Sequence, residues 1–259
     1  MATRRSDRMR RFRRGALLPL ALLATWWWFS ASGGAASRLF VPPGRVLETG
    51  WHMLLSGELL TALGASICRD VAGLVVGAAA GVVAGVLLAL SATVRHLFAP
   101  TLDAVRQVSL FAWIPLLIVW FGLGELGKIV FISLSAFFPV ALNTMQGVAH
   151  VPKQYTELAR VFRFSAGQLF FRIVLPSALP SVFTGIYVAL VSSWIATLGA
   201  EYLMTSGAGI GNLLTDGREN FLMDQVLLGV AIVGGVGALL HYVASRLELK
   251  VQRSSGKDA

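Results

Sequence analysis

The chain has 259 residues, 56% of them hydrophobic and 14% charged, with a mean hydropathy of +0.71. Soluble domains carry roughly 25% charged residues, so an ordinary soluble fold is excluded, and the apolar surplus falls in blocks that mark membrane spans. A net charge of +9 would suit a polyanion, but seven arginines crowd the first fourteen residues, directly before an apolar run. Acidic lipid headgroups account for them at least as well, and no nucleic-acid partner is expected. Cys68 is the single cysteine, which rules out an internal disulfide and a CxxC metal site. His52, His96, His150 and His241 are scattered without HExxH spacing. No catalytic or metal residues are expected.

In chain order, residues 1–14 form a basic head and 15–37 an uncharged first anchor. Trp26, Trp27 and Trp28 suit the outer interface belt. A cleaved signal peptide is the alternative, because basic, apolar and small-residue regions follow in the right order. Arg10-Arg11 also weakly resembles a twin-arginine signal. Five further spans favour a retained anchor. Residues 38–65 are an extracytoplasmic connector, broken at Pro42-Pro43-Gly44, with an amphipathic surface helix over Arg45–Leu60.

The uncharged second span covers Val71–Val94. Its Gly73, Gly77, Gly81 and Gly85 repeat every four residues and share one helix face. Small residues there admit a second helix at close range; a glycine-lined solute path is the lesser reading. Arg95, His96 and Arg106 bracket a connection containing Pro100, followed by a third span at 107–124, interrupted by Pro115. The fourth span covers 129–149 and is broken at Pro139. Such prolines are tolerated where neighbouring helices satisfy the freed carbonyls.

Residues 157–176 form the longest basic stretch between any two spans. Glu157–Arg163 reads as a short helix, Phe164–Gly167 as a turn, and Gln168–Val174 as a second helix stopped by Pro176. This helix–turn–helix is expected to dock on a separate cytoplasmic motor. The fifth span, 177–200, is uncharged. Ser192, Ser193, Trp194 and Thr197 on it are candidates to line a path for a small polar solute, or hydroxyls bonded to their own helix. Residues 201–224 are acidic and glycine-rich, an expected outer loop, and the sixth span runs over Gln225–Ser245. With both termini in the cytoplasm, the inner segments hold seventeen Lys and Arg against five outside, the bias expected of inner loops.

Gly122-Leu-Gly-Glu-Leu-Gly127-Lys128 resembles a phosphate-binding loop, but Ile129 replaces the hydroxyl that would hold Mg²⁺ and no strand precedes it. A tight glycine turn between spans is the better account. Gly207-Ala-Gly209-Ile-Gly211 lacks the context of a dinucleotide site in the same way. Ionisable residues within the expected spans are nearly absent, against the relays of a proton-coupled carrier. What remains is a conduit in need of an external motor.

Several ordered motifs, over roughly residues 40–250, resemble the permease subunits of bacterial ABC importers: Trp120–Lys128, Phe137-Phe-Pro-Val-Ala-Leu-Asn-Thr144, Glu157-Leu-Ala159 with Ile173-Val-Leu-Pro176, and Glu201 before Gly207–Gly211. Within that family the chain is most similar to the branch for nitrate, sulfonates and taurine. The resemblance implies an all-α polytopic membrane protein of about six spans, with a cytoplasmic coupling helix–turn–helix between spans 4 and 5. It makes 66–250 the transmembrane domain and 251–259 a cytoplasmic tail. It implies no cofactor in this chain, with ATP and Mg²⁺ on partner subunits. The implied partners are a second copy of the chain, two ATPase subunits, an extracytoplasmic solute-binding protein and the lipid of the inner membrane.

The resemblance places ATPase coupling at Glu157, Leu158, Ala159, Arg160, Arg163 and Gly167, and the outer gate or binding-protein contact at Glu201, Gly209 and Gly211. Glu157 would accept hydrogen bonds from the ATPase or cap its own helix, and Ala159 would permit close approach. The chain departs from the family pattern at Leu158, and Arg163 stands at the family's glycine position, so Gly167 is expected to supply the turn. The competing readings are a self-contained carrier or channel, a membrane assembly protein, and an importer for a pyrimidine-type vitamin precursor.

Overall fold

A computed structural model describes residues 21, 24–28, 30, 41–151 and 153–255, and all regular structure among them is helical. The expected anchor at 15–37 lies largely outside the described residues.

Helix α1 spans Pro43–Leu55. A proline in the first turn gives up only an amide that no intrahelical carbonyl needs. Gly57, at φ +79°, turns the chain, and α2 runs over Glu58–Leu90. The second span therefore starts thirteen residues before Val71, and Arg69 and Asp70 lie inside a helix instead of a connector. Ser91 caps α3, Ala92–Gln107, by accepting from the Val94 amide at 3.3 Å.

A 3₁₀ turn at Leu110–Trp113 leads into the short α4, Ile114–Phe121. Leu110–Phe121 turns 96° away from Ala92–Gln107, so the expected third span at 107–124 is the second limb of an elbow that begins at Ala92. Pro115 starts α4 and does not interrupt it. Gly122, at φ +74°, makes the turn into α5, Glu125–Ala149.

Beyond α5 come α6, Lys153–Val161, and α7, Ala166–Leu169. A π turn at Phe170–Val174 then passes straight into α8, Leu175–Leu203. Pro176 does not stop the helix. Its missing amide falls where the wide π turn hands over to the α-helical ladder. The expected outer loop at 201–224 is mostly helical as well: α8 ends at Leu203, α9 covers Ile210–Glu219, and α10 covers Met223–Ser255. Four of these segments are long and apolar enough to cross a membrane, Glu58–Leu90, Glu125–Ala149, Ala166–Leu203 and Met223–Arg246, and the α3–α4 elbow makes a fifth if counted as one span.

Helix α5 is packed between α2 and α8, with Phe131, Ile132, Ala136 and Val140 fully buried. Lipid gives helices no hydrophobic reason to associate, so close backbone approach must hold them. The four-residue glycine repeat of α2 provides it. A Cβ at Gly81 would stand 2.8 Å from the Phe137 carbonyl oxygen, and one at Gly85 2.5 Å from that of Ala141. On the other side of α5, a Cβ at Gly185 of α8 would stand 3.1 Å from the Pro139 carbonyl oxygen. Gly81→Val should therefore cost about 1–3 kcal/mol or more by overpacking. Gly64→Ala, on the same helix but facing open space, should gain up to about 1 kcal/mol of helix propensity. Unfolding titrations of the two variants in detergent check the contrast.

Candidate functional site

Two constellations stand at opposite ends of this bundle. At one end, α2 contributes Ser66 and Arg69, α5 contributes Glu125 and Lys128, and α8 contributes Glu201. The Arg69 guanidinium is shared between two carboxylates. Nε and Nη2 donate to the oxygens of Glu125 at 2.5 and 2.7 Å, and Nη1 donates to Glu201 Oε1 at 2.6 Å. Glu201 is fully buried and also accepts from Ser66 Oγ at 2.8 Å and from the Gly211 amide at 2.9 Å. Lys128, equally buried, donates to the Ser206 carbonyl. Two cations thus face two anions, and buried charge is tolerated only when matched in this way.

The strap between α8 and α9 is folded around the Glu201 carboxylate. A Cβ at Gly209 would lie 2.6 Å from its carboxyl carbon, and one at Gly211 would lie 2.5 Å from its Cβ. Gly207 takes φ +76°, which favours glycine. Asn212 Nδ2 donates to the Gly207 and Ser206 carbonyls at 2.6 and 3.1 Å. Glu201, Gly209 and Gly211 therefore meet in one internal cluster and present no carboxylate to solvent.

At the other end, Glu157, Leu158, Ala159 and Arg160 lie on α6. Glu157 and Leu158 are exposed, whereas Ala159 is buried within this chain. The helix ends in a left-handed residue, Arg163 at φ +54°, with the Phe164 amide bonded back to the Ala159 carbonyl at 2.9 Å. That six-to-one bond is the Schellman stop, in which glycine usually holds the left-handed position. Arg163 makes the turn itself, and Gly167 sits inside α7. Ser165 then restarts the helix through a capping box with Gln168.

Of the pathway candidates, Ser193, Trp194 and Thr197 are buried and Ser192 is half-buried. Ser192 and Ser193 donate to the Val188 and Leu190 carbonyls of their own helix at 3.0 and 3.1 Å. Trp194 Nε1 reaches the Val233 carbonyl of α10 at 3.3 Å, and Thr197 Oγ1 reaches Asp70 Oδ1 at 3.2 Å. Arg69, Asp70, Glu125 and Lys128 went unnoticed as site residues in the sequence. One signal was available: Arg69 stands four residues before Gly73, one turn up the same glycine-marked face. Among the described residues, no group of three His, Cys, Asp or Glu side chains is placed to hold a metal ion.

A bundle of long apolar helices, broken between two of its spans by a capped amphiphilic turn, defines a polytopic membrane protein. Residues 77–253 match the family described as binding-protein-dependent transport system inner membrane component, and the chain belongs to that family. It is 34% identical over 225 residues to the taurine transport system permease protein TauC of Escherichia coli (strain K12), covering 85% of this chain and 82% of that one. It is 30% identical over 245 residues to the nitrate import permease protein NrtB of Leptolyngbya laminosa, covering 90% and 86% of the two chains. Its fold is similar to that of a chain in an inward-facing structure of the MetNI methionine ABC transporter, with TM-score 0.63 and 17% identity over 74% of this chain and 95% of that one. The protein is accordingly an ABC-type permease of the inner membrane.

Glu201→Ala should cost about 3–5 kcal/mol, the usual penalty for breaking a buried pair. Arg69→Met combined with Glu201→Leu should lose far less than the two single changes summed, as a double-mutant cycle in detergent unfolding will read. Arg163→Gly should relieve about 1 kcal/mol of left-handed strain and slow hydrogen exchange at the Phe164 amide.

Proposed function

We propose that this chain forms the solute path of an ATP-driven importer. Two copies stand side by side, each docked through α6 on a separate ATPase subunit that holds the ATP and Mg²⁺, beneath an extracytoplasmic solute-binding protein. Both termini lie in the cytoplasm, as the excess of Lys and Arg on that side favours. The observation that carries this reading is the surface of the coupling turn. Val161 is 78% exposed and Phe162 66%, beside exposed Tyr155 and Leu158. An apolar ridge on a connection between spans, outside the lipid, calls for a protein cover.

Exposed Glu157 supplies the polar contact at the rim of that ridge. The buried methyl group of Ala159 supports the stop of α6 from within and does not face the ATPase. At the outer end, the binding protein meets the strap beside a cleft of about 330 Å³ lined by Gly57, Glu58, Gly207, Gly209 and Asp216. Taurine and nitrate, named for the relatives, are both small polar solutes that carry an anionic group. The solute here is assigned to the same class.

Vesicles holding this chain alone should show no uphill accumulation, and adding its ATPase and binding protein should confer ATP-dependent uptake. Glu157→Lys should insert normally and lower stimulated ATP hydrolysis about tenfold. Uphill uptake by the chain alone would favour a self-contained carrier, and unchanged hydrolysis would remove Glu157 from the docking surface.

A further inference from the structure

Between the α3–α4 elbow and the facing sides of α5 and α8 lies a cleft of about 190 Å³. Three polar residues line it, Arg106 from α3, Ser135 from α5 and Ser192 from α8, and Trp113 and Phe138 are among its apolar walls. Ser135 lies ten residues into α5 and Ser192 eleven before the end of α8. At 1.5 Å per residue both hydroxyls stand about 15 Å from the helix ends, near the middle of a hydrocarbon core roughly 30 Å thick. A guanidinium beside such a level is costly and marks a functional position by default.

Arg106 is not used up by its surroundings. Its one ion pair among the described residues runs from Nε to Asp103 at 3.5 Å, one turn earlier on the same helix, and its side chain remains 43% exposed. The two terminal nitrogens are left to bind a planar or tetrahedral oxyanion in the forked geometry that a guanidinium matches. The Ser192 hydroxyl, now donating to the Val188 carbonyl, can rotate to donate to the same anion. The aromatic and aliphatic walls accept a short hydrocarbon tail.

The geometry points to a solute subsite for a small organic anion, with its oxyanion head on Arg106, Ser135 and Ser192 and its tail against Trp113 and Phe138. This rests on the permease reading above and deepens it. A lipid phosphate offers the same head chemistry, and the test separates the two sources.

The full-length chain in phosphatidylcholine nanodiscs is titrated with radiolabelled butanesulfonate by equilibrium dialysis. Saturable binding is expected, competed by inorganic sulfate but not by butanol. Arg106→Gln should weaken it at least tenfold and Arg106→Lys by less, whereas Asp103→Asn should leave it intact or tighter. Wild-type binding by Arg106→Gln, or equal losses in Arg106→Gln and Asp103→Asn, overturns the assignment. Binding abolished when the discs contain phosphatidylglycerol gives the site to lipid headgroups and also overturns it. ATP-driven uptake by the assembled transporter is measured in parallel. If uptake is intact while Arg106→Gln binds normally, the cleft assignment falls alone; absence of ATP-driven uptake by the wild-type assembly removes the permease reading itself.

Discussion

Helices in lipid cling to one another only as closely as their backbones can approach, and here that approach is set by four glycines of α2 against the carbonyls of α5. The contact is made of dispersion and weak Cα–H···O interactions, each small and each lost if the axes separate by an ångström. The same face continues upward to Arg69, so the seam delivers the guanidinium to a point already closed to water. A charge placed there must find its counter-charges at once. Glu125 and Glu201, from the two helices that flank it, provide them. Seam and ion cluster are joined through α2, because the packing that buries Arg69 also obliges it to be paired.

The strap after α8 follows from that cluster. Glu201 has more accepting capacity than Arg69 can fill, and the remainder is taken by Ser66 and by the Gly211 amide, while the Ile210 amide donates to Ser66 Oγ. Gly209 is small because the Glu201 carboxylate occupies the space where a side chain would stand, and Gly211 because the Glu201 Cβ and the Leu198 carbonyl do. Lys128 ties the strap from the α5 side through Ser206. The strap is therefore tied to both α5 and α8, while Glu125 remains exposed at the edge of the cluster.

Much of this could be read from the residues. Blocks of apolar sequence gave away the all-helical, polytopic class though not the exact bounds of the spans, the four-residue spacing of glycines gave the seam, and the order of the motifs gave the family. The ion cluster was hidden because Arg69 and Asp70 look like the end of a polar connector until Gly57 is known to start a helix at Glu58. Lys128, beside three glycines, looks like part of a turn, and only the return of α8 brings Glu201 opposite it. Pro176 misled for a related reason: a proline ends a helix only where its amide is needed, and the π turn before it changes which amides are. Arg163 occupied a glycine position in the motif, and the backbone there keeps the glycine conformation at the side chain's expense.

The uninterrupted rod from Ala166 to Leu203 bears on how the proposed coupling works. Its 38 residues extend about 57 Å at the α-helical rise, with no loop between the coupling turn and the Glu201 cluster. Ser192 lies on the same rod, between its two ends. A tilt imposed at the inner end by a docked ATPase would reach the outer cluster as rotation of a single element. The π turn at Phe170–Val174 is the one place near the inner end where that rod is wound differently. The contacts at the Glu201 end are charge-assisted, the described side chains of α6 are mostly exposed, and a lever held firmly at one end moves most at the other. On the proposed coupling, motion would be concentrated in the half of the rod between the anchored cluster and the surface offered to the motor.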